Sequence, residues 1–243
     1  VKKYPITIKP FGLHAALIAW PDQVNEGVLE DILQFKHFLM DALEDGWELI
    51  PAYNSLTLVN TCIPIDENKF HGQLLTWYKQ LGPKQAVQRY QWTLPVCYDS
   101  EFGHDIQEVA STLTFSVDEL ITKHTATAYT VYGIGFLPGF MYLGGLPKDL
   151  EIPRKQTPRL HVDKGSVGLA GKQTGIYPQD SPGGWNIIGR CPIPLFNTKA
   201  SPPFFASIGD KIRFKAVSKA EYDLHKIEGE VGIYQPEKKL WNA

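Results

Sequence analysis

Twelve of the chain's 21 glycines fall between Gly133 and Arg190, and this density limits what that stretch can fold into. Glycine weakens helices and ordinary strands, so a folded protein keeps it where backbone turns sharply or lies close to something. Here the glycines alternate with aromatics and prolines, as in Gly135-Phe136-Leu137-Pro138-Gly139-Phe140 and Ser181-Pro182-Gly183-Gly184-Trp185. A flexible linker carries Ser and charge rather than Phe, Tyr, Trp and Ile. The segment therefore reads as a sculpted surface.

Upstream of it the pattern is different. Tyr4–Ile8 and Ala15–Trp20 read as strands, and Val24, Val28, Ile32, Phe35, Leu39 and Leu43 recur at the spacing of one helix face. Gly46 sits where a helix-ending glycine belongs. Trp47–Tyr53 and Leu56–Asn60 read as strands about an Asn54-Ser55 turn, and Phe70, Leu74, Trp77 and Leu81 mark a second helix ended by Gly82-Pro83. With Ala86–Leu94 as a last strand, the order is β-α-β-β-α-β, which predicts a ferredoxin-like α/β sandwich over residues 1–94. Pro95 marks the boundary. Two short helices follow, one over Asp105–Leu113 and one opened by the capping box Ser116-Val117-Asp118-Glu119. Beyond Ala128 no long helical period is visible. Short β-rich runs, among them Lys211–Val217 and Gly229–Ile233, predict a β-barrel or sandwich over residues 95–243.

The bulk numbers exclude more than they assign. A net charge of −2 gives no electrostatic reason to expect nucleic acid or an anionic membrane as a partner. No stretch approaches the roughly 20 apolar residues of a membrane span, and the first residues lack a signal-peptide pattern. Three scattered cysteines, Cys62, Cys97 and Cys191, form neither a CxxC pair nor a disulfide framework. They favour a reducing compartment, with the cytoplasm as the expectation.

Standard catalytic signatures fail when tested. Gly133-x-Gly135-x-x-Pro138 puts proline where a dinucleotide fingerprint needs glycine, and Gly171-Lys172-Gln173 lacks the Ser/Thr that ends a phosphate-binding loop. There is no G-x-S-x-G elbow, no H-E-x-x-H, and no catalytic-zinc spacing among the seven histidines, so no metal is expected. What remains suits an anionic or amide-bearing small molecule. Arg154 and Arg159 each follow a proline and can grip a carboxylate or phosphate with two hydrogen bonds, or else form structural pairs across loops. Gln173 can read an amide or satisfy loop backbone. Ser181 is a nucleophile, a hydrogen bonder or simply a turn serine. Tyr177 and Trp185 stack on a ligand or fill a barrel mouth. His124 serves as a general acid/base or as a helix C-terminal cation.

These residues also carry a resemblance. Gly135–Phe140, Tyr142-Leu143-Gly144-Gly145-Leu146, Pro153-Arg154, Pro158-Arg159, Gly165-Ser166-Val167-Gly168, Gln173-Thr174-Gly175-Ile176-Tyr177-Pro178, Ser181–Trp185 and Ile188-Gly189-Arg190 resemble the B-component family of bacterial 5-oxoprolinase. The family is also called allophanate-hydrolase-subunit-1 or Kip-inhibitor. Pro95-Val96-Cys97-Tyr98, Glu101-Phe102-Gly103 and His124-Thr125 extend the likeness upstream. The resemblance implies an N-terminal α+β domain followed by a cyclophilin-like β-barrel. It implies ATP-dependent opening of 5-oxoproline (pyroglutamate) to L-glutamate, with ATP used by an assembled complex. The partners it implies are a C component, of the allophanate-hydrolase-subunit-2 type, and an A component. On that footing His124, Arg154 and Gln173 are the expected catalytic residues. Arg159, Tyr177, Ser181, Trp185 and Arg190 are the expected substrate-binding residues. Two other readings accompany the family: inhibition of a sensor histidine kinase, and allophanate- or urea-type amide chemistry. The chain departs from the pattern in three places. Val162-Asp163-Lys164-Gly165 stands for Val-Pro-Ala-Gly, Cys191 for threonine, and Gly12-Leu13-His14-Ala15 for Gly-Asp-x-Ala.

Overall fold

The computed structural model describes residues 4–82 and 88–241. The chain divides into two compact units, Val1–Gln88 and Arg89–Ala243. In the first, strands β1 (Thr7–Pro10), β2 (Ala15–Ala19), β3 (Trp47–Ala52) and β4 (Ser55–Asn60) form an antiparallel sheet in the order β1-β2-β4-β3. Helices α1 (Glu26–Ala42) and α2 (Glu67–Gln80) complete it. Asn25 caps α1 by accepting the Val28 N–H at 2.9 Å. The predicted stripe Val28, Ile32, Phe35 and Leu39 is buried, whereas Val24 lies outside the helix and is exposed. Within this core Asp31 is a polar anchor, accepting the Trp20 indole N–H at 2.6 Å and the Tyr78 hydroxyl.

The predicted ferredoxin-like order is not the one formed. Ala86 and Val87 of the expected last strand, and Pro83 before them, lie outside the described residues. The rest becomes β5 (Arg89–Val96) and belongs to the second unit. Both its edges are used there: it runs parallel to β13 (Lys211–Ala216) and antiparallel to β14 (Glu237–Trp241). Trp92, Leu94 and Val96 enter that unit's core, and Asp210 accepts both the Tyr90 N–H at 2.8 Å and the Trp92 indole N–H at 2.9 Å. A buried strand satisfied on both edges has nothing left to offer the first sheet.

The second unit also holds α3 (Ile106–Thr112), α4 (Val117–Ala126), β6 (Ala128–Ile134), β7 (Met141–Gly144), β8 (Arg159–Val162), β9 (Ser166–Ala170), β10 (Gln173–Ile176), β11 (Ser181–Gly183), β12 (Asn186–Arg190) and α5 (Lys219–Glu230). Eight strands form one sheet, β12-β9-β10-β7-β6-β13-β5-β14, and β8 pairs with β11 as a separate ribbon. The expected barrel is thus not closed. Among the described residues β12 meets the far side through one bridge, where Cys97 and Arg190 exchange two backbone hydrogen bonds of 2.9 Å. The outer strand β14 carries Glu237, Lys238 and Lys239, charges typical of an edge left unpaired.

Helix α5 has no visible apolar period in the sequence, and the strand expected over Gly229–Ile233 is its end and the following turn. It carries a full capping box, Ser218 with Glu221, but Leu224 and Ile227 are exposed rather than aligned on a core-facing stripe. Among the described residues no helix is long and apolar enough to cross a membrane.

Candidate functional site

Two clefts in the second unit contain charged residues of the glycine-rich region. The first lies where the loop between Ile152 and Thr157 faces α3. It has a volume of about 390 Å³ and is lined by Glu108, Arg154, Lys155, Gln156 and Asn186 among others. Its Lys155 is held by Asp105, the residue before α3, only 3% exposed. One carboxylate oxygen takes Arg159 Nη2 at 2.5 Å and Lys155 Nζ at 3.0 Å; the other takes the Ile187 N–H at 2.7 Å. Lys155 also reaches Glu108 at 3.1 Å. Asn186 is clamped by its amide to the Pro153 and Leu169 carbonyls. This fixes the X-Pro-Arg loop from behind.

Burial pushes the Asp105 carboxyl up, but the hydrogen bonds from Arg159, the Ile187 N–H and Lys155 outweigh it and hold the group below the usual carboxylate range. The hydrogen bond to Asp105 raises Lys155 in turn. Removing this carboxylate leaves the Arg159 guanidinium and a buried N–H without their partner, and Lys155 with Glu108 alone. Asp105→Ala is therefore expected to lower stability by about 3 kcal/mol at pH 7. Since the folded value is depressed, the contribution is present above the unfolded value and is lost as the pH falls below the ordinary Asp range. Thermal melts at pH 7 and pH 3 check this: the gap between wild type and variant should narrow at pH 3.

Arg154 is the group this scaffold presents. Its side chain is exposed, without a hydrogen-bond or ion-pair partner among the described residues. Arg159, by contrast, is committed to Asp105, and its Nη1 is buried and unpaired. Tyr177 and Trp185 are buried and pack edge-to-face with Phe140, at ring separations of 5.5 Å each. They form a wall, not an open stacking platform. Burial raises the Tyr177 hydroxyl, opposed by the nearby charges of Arg154 and Arg159.

The remaining expected residues do not converge there. Gln173 is half-buried on β10 opposite Ala170. The Ser181 hydroxyl donates to the Pro182 carbonyl at 3.2 Å, and no imidazole partners it among the described residues. Arg190 lines the second cleft, of about 740 Å³, together with Asp163, Lys164, Asp180, Lys199, Tyr222, Lys226 and others. It pairs with Asp163 and sits 5.3 Å over the Phe102 ring.

His124 is the clearest correction. Its ring is fully buried, stacked on Phe214 at 4.7 Å, with Tyr98 Oη 2.7 Å from Nδ1 and Thr174 Oγ1 3.0 Å from Nε2. Desolvation brings its pKa down to about 3. A ring with both nitrogens occupied and no solvent path is a core tie, not a proton carrier. Sequence reasoning misses Asp105, Lys155 and Asn186. Lys155 adjoins the Pro-Arg motif and Asn186 follows the Gly-Gly-Trp motif, but the Asp105 carboxylate carries no local signal.

Residues 6–206 match the family described as Carboxyltransferase domain, subdomain C and D. Among curated proteins, the B component of the Bacillus subtilis 5-oxoprolinase is 34% identical over 91% of this chain and 97% of its own length. The chain belongs to the 5-oxoprolinase B-component family. The Haemophilus influenzae protein of the same name is 46% identical over 70% of this chain and 79% of its own. A solved structure titled TTHA0988 aligns at a TM-score of 0.72 and 33% identity over 85% of this chain. The chain spans only 40% of that protein's length, so this member of the family corresponds to part of a longer relative.

Proposed function

We propose that the chain is the B component of an ATP-dependent 5-oxoprolinase that hydrolyses the lactam of 5-oxoproline to give L-glutamate. It works with an A component and with a C component of the allophanate-hydrolase-subunit-2 type, in the cytoplasm. ATP is assigned to the assembled complex. Family membership over almost the whole of a curated relative supports the reaction. The observation that carries this chain's part in it is the unpaired Arg154 guanidinium on a loop fixed by Asp105 and Asn186.

Opening an activated lactam builds negative charge on oxygen, and donors already in place stabilise that charge without reorganising. Lys155 and Arg159 are partly neutralised by Asp105. Arg154 is not, so it is the group that meets the substrate's carboxylate or a phosphoryl oxygen, with Arg159, Tyr177 and Trp185 as the structure behind it. Gln173, Ser181 and Arg190 lie outside the residues lining this cleft and are assigned no contact in it. The hydroxyls that meet an imidazole, Tyr98 and Thr174 on His124, are buried and do not line this cleft, which suits a protein that needs partners to complete a site.

The test is the rate of 5-oxoproline-dependent ATP hydrolysis, with this chain alone and then with its host's A and C components. Activity is expected only in the mixture. Arg154→Gln should lower it roughly 10- to 100-fold, the size of a lost charge-assisted hydrogen bond. Unchanged turnover removes Arg154 from the site. Silence of the wild-type mixture, with the partners folded and bound, overturns the reaction and favours the kinase-inhibitor reading or another amide substrate.

A further inference from the structure

The ribbon of β8 and β11 ends at the second cleft, and its register brings three metal-binding side chains together. Ser181 pairs with Val162 across the antiparallel ladder, so Asp180 and Asp163 are the next residues to face one another. His161 and Asp163, two apart on the same chain segment, point to one face. Their donor atoms and that of Asp180 all lie within 4.8 Å of one another. We propose that His161, Asp163 and Asp180 form a divalent-cation site at the wall of the Arg190 cleft, suited to Mn²⁺ or Zn²⁺.

The ligand set decides the class of ion. One imidazole and two carboxylates suit Zn²⁺ and Mn²⁺ better than the all-oxygen ions Ca²⁺ and Mg²⁺. Bonds of about 2.0–2.2 Å place neighbouring ligand atoms about 3 Å apart and opposite ones about 4 Å apart, within the span observed. His161 Nε2 lies 2.7 Å from Asp163 Oδ1, so the entering cation takes over the contact between these two groups. The other sides of the carboxylates are already held. Arg190 binds Asp163 Oδ2, and the Lys164 N–H donates to Asp180 Oδ1 at 2.6 Å. Outer partners of this kind orient ligands before the metal arrives.

Three protein ligands leave coordination positions open, the pattern of a site that binds a further ligand rather than a closed structural one. Asp163 and Asp180 line a cleft that also presents Lys164, Lys199 and Lys226. The further ligand is therefore anionic, a phosphate or carboxylate bridging the cation and these ammonium groups. Histidine spacing along the sequence does not expose the site, because the third ligand comes from across a strand ladder.

The experiment titrates the full chain with Mn²⁺ and follows loss of the free-ion signal by electron paramagnetic resonance. Expected is one bound ion per chain, with echo modulation from a coordinated imidazole nitrogen. His161→Ala and Asp180→Asn, both at exposed positions, should each weaken binding at least about 10-fold, and His161→Ala should remove the nitrogen modulation. His37→Ala, at an exposed position in the first unit, should change nothing. Absence of binding, binding that survives either substitution, or loss in the His37 variant overturns the proposal. Thermal melts matching wild type show that a weakened variant has lost the site and not the fold.

Discussion

Lowering the pH from 7 to 4 is expected to cost the second unit roughly 3 kcal/mol through His124 alone. The buried ring has a pKa of about 3, brought down by desolvation, against about 6.5 in an unfolded chain. Above 6.5 both states hold a neutral ring, so pH has no leverage. Below 6.5 only the unfolded chain takes up the proton, and stability falls by about 1.4 kcal/mol per pH unit until the folded value is reached. Asp105 and the depressed carboxyls of Glu119, Glu221 and Glu237 enter only as the pH reaches the carboxylate range, so the interval from 6.5 to 5 isolates the histidine. His124→Gln keeps hydrogen-bonding capacity toward Tyr98 and Thr174 but cannot titrate. The variant should be less stable than wild type at pH 7, since it loses the stack on Phe214, yet nearly flat over this interval. Chemical denaturation at half-unit pH steps measures both slopes. An unchanged slope in the variant would mean that other groups carry the acid sensitivity.

The same residue shows where the sequence was readable and where it was not. His124 at the end of a capped helix is visible in the chain, and so is the helix: Ser116 and Glu119 form the box that their spacing predicts. What local spacing cannot carry is the company the ring keeps. Tyr98, Thr174 and Phe214 come from three distant segments, and it is they that convert a titratable side chain into a neutral tie. The first unit's helices and hairpin were legible because each has a local cause, a cap, a stripe or a turn. Assignment of Arg89–Val96 to a sheet was not, since a strand pattern records two faces and says nothing of which neighbours its edges will find. Helix α5 shows the reverse failure: Ser218-Lys219-Ala220-Glu221 announces it, while its exposed Leu224 and Ile227 hide the period. At the candidate site Arg154 was legible through its motif. Asp105, which places the arginine loop, was silent because a buried carboxylate is defined by its long-range partners.

Glycine density predicted close approach, and the structure identifies what approaches. At Gly165 it is the chain itself. Its N–H donates to the Tyr177 carbonyl at 2.7 Å, its carbonyl accepts the Cys191 N–H at 2.8 Å, and its φ is +83°. A Cβ here would run into the Cys191 carbonyl oxygen and lie 3.2 Å from Arg190 Cγ. Backbone cannot swing aside as a side chain can. Gly165→Ala therefore combines left-handed strain of about 1 kcal/mol with an overpacking cost of roughly 1–3 kcal/mol. The expected loss is about 3 kcal/mol, with lowered Mn²⁺ affinity as Arg190 and Asp163 are displaced. Gly171→Ala is the matched comparison: its φ of +58° carries the same kind of strain, but nothing lies within 4 Å of its Cβ. It should lose only about 1 kcal/mol. Equal losses in the two variants would show that backbone conformation alone explains the glycines. A large difference would show that Gly165 is required because backbone packs against it, as the Met141 and Cys97 carbonyls do against Gly175 and Gly189.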